Sequence, residues 1–148
     1  MNVLIAGAGR LGTQIAHVLS AARNEVTLID IDDDRVDDLR GRVAVRLVAG
    51  DACEPALLED SGVLTADLVI AATGDDEDNL VISLLAKRQF SAPRVAARVN
   101  DAENTWLFDG RWGVDVAVPA ATPLISLIEE ATGATDTVAL LRLSKGCR

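Results

Sequence analysis

Tyrosine is absent from this chain, and His, Cys, Phe and Trp number one, two, two and two in 148 residues. Each shortage excludes something. Without tyrosine there is no Tyr/Lys pair for short-chain reductase chemistry. So few aromatics leave no stacking platform for single-stranded nucleic acid. The lone histidine, His17, rules out His-rich metal sites and leaves little room for a Ser-His-Asp triad. Cys53 and Cys147 make no disulfide framework, which points to a reducing compartment. Basic residues are outnumbered, 14 Lys+Arg against 23 Asp+Glu, for a net charge of −9. That balance argues against binding to nucleic acid or anionic lipid, because phosphate binding needs clustered Lys and Arg. Long apolar runs are missing too. The longest, 116–128, is broken by Pro119 and Pro123 and falls short of the roughly 20 residues of a membrane span. The N-terminus, Met1-Asn2-Val3-Leu4-Ile5, has no basic region and no cleavage site, so it does not read as a signal peptide. The expectation is a soluble cytoplasmic chain. With 49% hydrophobic residues it has enough apolar material for one packed domain.

What is present is an alternation. Apolar runs at 3–6, 26–29, 43–48, 68–72, 94–99 and 114–118 read as strands. Between them lie helical patterns at 11–22, 33–42, 55–61, 78–90 and 103–109. In the fourth, Leu80, Val81, Leu84 and Leu85 form the apolar set. A helix over 123–131 and a short strand over 137–143 follow. Strand–helix alternation with short connections predicts an α/β fold, a Rossmann-like doubly wound parallel sheet of about six strands with helices on both faces. The C-terminal helix and short extra strand are added to that unit.

Gly7-Ala8-Gly9-Arg10-Leu11-Gly12 is a G-x-G-x-x-G run between the first strand and the first helix. In that context Gly7 permits a tight turn, Gly9 lets backbone approach a pyrophosphate, and Gly12 lets helix and strand pack closely. The helix N-terminus supplies free N–H groups and partial positive charge. Asp30 ends the second strand 18 residues past Gly12, where a carboxylate accepts ribose hydroxyls and repels a 2′-phosphate. NAD(H) or an adenine nucleotide is therefore favoured over NADP(H). Arg10 either reaches a phosphate or stays solvated. Beyond the nucleotide no acid/base constellation is evident. His17 falls inside the first helix as a surface or packing residue, and Cys53 reads as a small loop thiol. The acidic runs Asp32-Asp33-Asp34 and Asp75-Asp76-Glu77-Asp78 read as helix caps and first-turn carboxylates. A Mg²⁺ or Ca²⁺ site is the alternative.

Several stretches together resemble a known family: Asn2 to Gly12, Leu28-Ile29-Asp30-Ile31-Asp32, Gly50-Asp51-Ala52, Asp67 to Asn79, Val95 to Val99, and Gly113 to Pro119. In this order they resemble the TrkA-N (RCK N-terminal) domain of Trk/Ktr potassium-transporter regulatory subunits. The resemblance implies a non-enzymatic cytoplasmic subunit, peripheral at the inner membrane face. It implies a homo-oligomer, a dimer or higher ring, that gates a membrane potassium transporter. The ligand, NAD(H) or alternatively ATP/ADP, is allosteric. Residue by residue, it implies that Gly7, Ala8, Gly9, Arg10, Leu11 and Gly12 hold phosphates and that Asp30 takes the ribose. Asp51 and Ala52 border the adenine, and Thr73 and Gly74 lie near the middle of the nucleotide. Arg98 faces the ligand or a neighbouring subunit. By the same resemblance, residues 1–133 form the nucleotide-binding unit and 134–148 the entry to a second regulatory domain. Leu80 to Leu85 and Trp106-Leu107-Phe108 either cover the sheet or meet another copy. A small NAD-dependent oxidoreductase, or a dehydrogenase fragment, is the competing reading, and a redox-sensing module unconnected to transport is a third.

Overall fold

The computed structural model describes residues 1–120. Six strands form one parallel sheet: β1 Asn2–Ala6, β2 Glu25–Asp30, β3 Arg46–Ala49, β4 Leu68–Ala71, β5 Arg94–Val99 and β6 Val116–Pro119. Their order is β3-β2-β1-β4-β5-β6. Four α-helices connect them: α1 Arg10–Ala21, α2 Asp33–Leu39, α3 Pro55–Asp60 and α4 Asp76–Leu84. The doubly wound α/β architecture expected from the alternation is present. The helix at 123–131, the strand at 137–143 and the boundary near 133 lie outside the described residues. Among the described residues, no helix is long and apolar enough to cross a membrane.

Two-residue periodicity explains how one sheet feeds two cores. On β1, Val3 and Ile5 join Ile15, Ala16 and Leu19 of α1 on one face. Leu4 and Ala6 join Leu58 of α3 and Leu80 and Ile82 of α4 on the other. Central β4 is buried at all four positions, so it is apolar throughout and does not alternate. Burying a side chain such as Leu4 or Ile5 contributes about 1.5–3 kcal/mol.

Five boundaries or faces differ from the sequence expectation, each for a tertiary reason. The third strand, expected at 43–48, begins at Arg46. The N–H groups of Arg42 and Val43 go to the Leu39 carbonyl, and the Ser20 hydroxyl donates to the Ala44 carbonyl. Helix α4 starts two residues early because Asp75 caps it, accepting the Asp78 N–H at 3.0 Å. It then widens into a π-turn at Leu85–Gln89. There Lys87 pairs with Asp115 at 2.8 Å, and Arg88 donates to the carbonyls of Gly110 and Arg111. The buried stripe of α4 is Asn79, Ile82, Ser83 and, past its end, Ala86, with Leu80 beside it, while Val81 is exposed. The helix expected at 103–109 is a 3₁₀ helix over Ala102–Leu107. The sixth strand, expected from 114, starts at Val116, since Asp115 turns its carboxylate onto the Val95 N–H at 2.8 Å. Phe108 is buried, and Trp106 is 65% exposed with Arg111 over its ring.

Candidate functional site

The order of the strands reverses between β1 and β4, which are parallel neighbours although β2 and β3 intervene in sequence. Ligands of such sheets bind in the crevice outside the strands' C-terminal ends at this switch point. The glycine turn sits there. Gly7 has φ +112, and a Cβ on it would lie 2.6 Å from the Ala72 carbonyl oxygen. A Cβ on Gly12 would drive into the Gly7 carbonyl oxygen. A Cβ on Gly9 would meet nothing within 4 Å. Two of the three glycines are thus required by the fold, while the space over Gly9 is open.

Gly9 is also the N-cap of α1 and offers no side-chain cap, and the first turn carries no acid. Its N–H groups and the positive end of the helix therefore face the crevice uncompensated. Helix α2 differs: Asp32 accepts the N–H groups of Asp34 and Arg35 at 3.0 and 3.2 Å. So does α4, with its Asp75 cap. The acidic runs thus serve as caps. Ala8 is buried, and its N–H reaches Asp30 Oδ1 at 3.4 Å. Arg10 is exposed at the first helical position, and Leu11 packs half-buried against the α1-side core.

Asp30 is 8% exposed at the end of β2. Its other oxygen, Oδ2, pairs with Arg35 Nη1 at 3.3 Å. Sequence reading missed Arg35. Its position on the first turn of α2, five residues past the acid, was the available signal. Asp51 and Ala52 follow β3 next to Asp30, because Asp30 is in register with Ala49. Asp51 Oδ1 accepts the Cys53 N–H at 2.9 Å. Burial, then the charges of Asp78 and Asp51, push the Cys53 thiol up to about 12, so it stays protonated and unreactive. His17 is exposed on α1.

Thr73 and Gly74 form the turn after β4, and Thr73 N lies against Gly7 across the crevice. Arg98, near the end of β5, lines a narrow cleft with Leu11, Ile15 and Ala72. Its Nε is buried with no hydrogen-bond partner among the described residues. All twelve expected site residues therefore gather along the C-terminal edge of the sheet. Sequence reading gave Asp76 only a first-turn or cation-site role and gave Asn79, Asn100 and Asn104 none, yet these four lock that edge. Asp76 accepts the N–H groups of Asn100 and Asp101 at 2.7 and 2.9 Å and the Asn104 amide at 2.9 Å. Burial raises this carboxyl, but those donors more than offset it and hold it below the usual carboxylate range. A larger open groove lies at the opposite edge, lined by Asn2, Glu25, Arg46 and Gly62. It is formed by strand starts and carries neither the glycine turn nor the acid, so the switch-point crevice is the better candidate.

Strand order, glycine turn and strand-end acid together define a Rossmann-type α/β domain. The TrkA-N domain family model matches residues 3–120, and the chain belongs to that family. It is 47% identical over 146 residues to the Trk system potassium uptake protein TrkA of Mycobacterium tuberculosis. That match covers 99% of this chain and 66% of the relative, so the chain spans just under two thirds of the relative's length. Among solved structures, Shewanella denitrificans Kef CTD in AMP-bound form superposes with TM-score 0.72 at 23% identity, covering 97% of this chain and 88% of that one. The GsuK channel bound to NAD gives 0.71 at 20% identity, covering 79% and 21%. These two likenesses establish the fold.

Proposed function

We propose that this chain is the nucleotide-sensing part of a regulatory subunit for potassium uptake, binding NAD(H), or alternatively ATP/ADP, as an allosteric ligand. The uncapped, acid-free N-terminus of α1, with Asp30 beside it at the switch point, carries this reading. Phosphates sit on Gly7 to Gly12 with Arg10 at the mouth. Asp30 accepts the ribose hydroxyls, Asp51 and Ala52 border the adenine, and Thr73, Gly74 and Arg98 line the far side. Among the described residues the buried Arg98 Nε has no acceptor, which leaves it a donor for a ligand. Arg35 must yield part of its hold on Asp30 when a ribose arrives. The AMP and NAD bound to the structural relatives support nucleotide chemistry in this fold.

The role is regulatory and not catalytic. The side chains best suited to general-base or thiolate chemistry are out of play: His17 is exposed along α1, and Cys53 is held protonated. A ligand then acts only through its differential affinity for two states of a homo-oligomer. The partner is a membrane potassium transporter at the inner membrane face, reached through protein contact, since a net charge of −9 disfavours lipid headgroups.

Calorimetry of the full chain against NADH, NAD⁺, ATP, ADP and NADPH tests the reading. Asp30→Ala should weaken NADH by about 10–100-fold, the worth of hydrogen bonds to a charged acceptor. NADPH should bind more weakly than NADH. Absence of binding by every nucleotide below the millimolar range would overturn the proposal.

A further inference from the structure

We infer that Asn79 is a positioning residue for the second half of a dinucleotide, and that it separates dinucleotide from mononucleotide binding. The inference rests on the nucleotide reading above and deepens it. Asn79 lies on the first turn of α4 and is fully buried. Its Oδ1 accepts the Thr73 N–H at 3.0 Å and the Thr73 hydroxyl at 2.6 Å. Its Nδ2 donates to the carbonyls of Thr73 and Arg98, both at 3.0 Å. An amide has two donors and two acceptor sites, so this one is saturated. Its orientation is forced, because carbonyl oxygens cannot donate.

The consequence is geometric. One side chain ties the turn after β4 to the end of β5, reaching Arg98 across 19 residues in sequence. Both backbone groups of Thr73 are consumed by protein. The Thr73 carbonyl takes a second amide from Asn100 at 3.0 Å, and Asp76 in turn grips Asn100. That leaves Gly74 as the free backbone at the mouth, exposed, where a Cβ would meet nothing within 4 Å. Sheets of this strand order are built from two mononucleotide-binding halves. The glycine turn and Asp30 belong to the β1–β2 half. Thr73, Gly74 and Arg98 belong to the β4–β5 half, and Asn79 sets their separation without itself touching a ligand.

AMP engages only the first half, and NADH needs both. Calorimetry on the full chain compares the two with Asn79→Asp, which turns a carboxylate onto the Thr73 and Arg98 carbonyls. NADH affinity should fall by about tenfold or more while AMP stays within about twofold. A merely structural role would lower both together, and that result, or no loss of either, overturns the inference. Asn100→Ala leaves Asn79 in place and removes the second donor to the Thr73 carbonyl together with the amide's hydrogen bond to Asp76. It must show the same split, about threefold, and carries the test should Asn79→Asp fail to fold. If the unaltered chain binds AMP as tightly as NADH, the second half contributes nothing and the inference fails while the nucleotide reading stands. If it binds neither, the nucleotide reading itself fails.

Discussion

The β1–α1 and β4–α4 turns occupy neighbouring positions at the same edge of one sheet, yet their electrostatics are opposed. The α1 turn has a glycine cap, no first-turn acid and open N–H groups. The α4 turn has an aspartate cap followed by Asp76, Glu77 and Asp78 in the first turn. Equal topology therefore does not make two anion sites. Carboxylates already complement the α4 dipole, so of the two termini the open one at α1 is the better suited to an anion. The α4 side is instead tied together by the Asp76 carboxylate and the side-chain amides of Asn79, Asn100 and Asn104.

Glycine substitutions on the α1 side should give the largest effects. Gly12→Ala places a methyl inside the Gly7 carbonyl and should cost about 3 kcal/mol or more of stability, measured by urea unfolding. Gly9→Ala meets open space and should change stability by no more than about 0.5 kcal/mol while weakening NADH. Equal destabilisation by both would erase the distinction between a glycine the fold requires and one the ligand requires.

On the α4 side the effect is smaller and depends on pH. The folded Asp76 carboxyl titrates below its ordinary value. Its contribution is therefore present above the unfolded value and lost as pH falls through the folded one. Asp76→Asn should cost about 1 kcal/mol near pH 7, allowing for partial exposure, with the gap to the unaltered chain closing below about pH 4. A gap independent of pH would mean that the charge is not what locks Asn100 and Asn104.

Cys53, in the turn after β3, has its thiol directed to the Asp78 carbonyl of α4 at 3.9 Å. Alkylation of the Cys53 peptide at pH 8, followed by mass spectrometry, should run about 100-fold or more slower than for a free thiol. Nucleotide affinity should be unmoved by Cys53→Ser. Fast alkylation would show that the acids Asp51 and Asp78 do not surround it as described.

Most of the fold was legible because its signals are local. The uncharged runs at 3–6 and 68–72 can only be buried strands, and they match β1 and β4 to within a residue. The α4 face was misread because Val81 looks like core and Asn79 looks like surface. Only the four partners of Asn79, supplied by the ends of β4 and β5, make burial of that amide tolerable. The site divides the same way. Gly7, Gly9, Gly12 and Asp30 could be placed from spacing. Asn100 and Asn104 could not, since they meet Asp76 across 24 and 28 residues.

The sequence by itself determined where the backbone must be bare and where an acid ends a strand. Both depend on φ angles and spacings within one βαβ unit. Tertiary structure decided which helix terminus stays open, which acid is paired with Arg35, and how Thr73 and Arg98 are held apart. Those outcomes depend on hydrogen bonds between segments that only the folded sheet brings together, and a buried polar group is tolerated only where such partners exist.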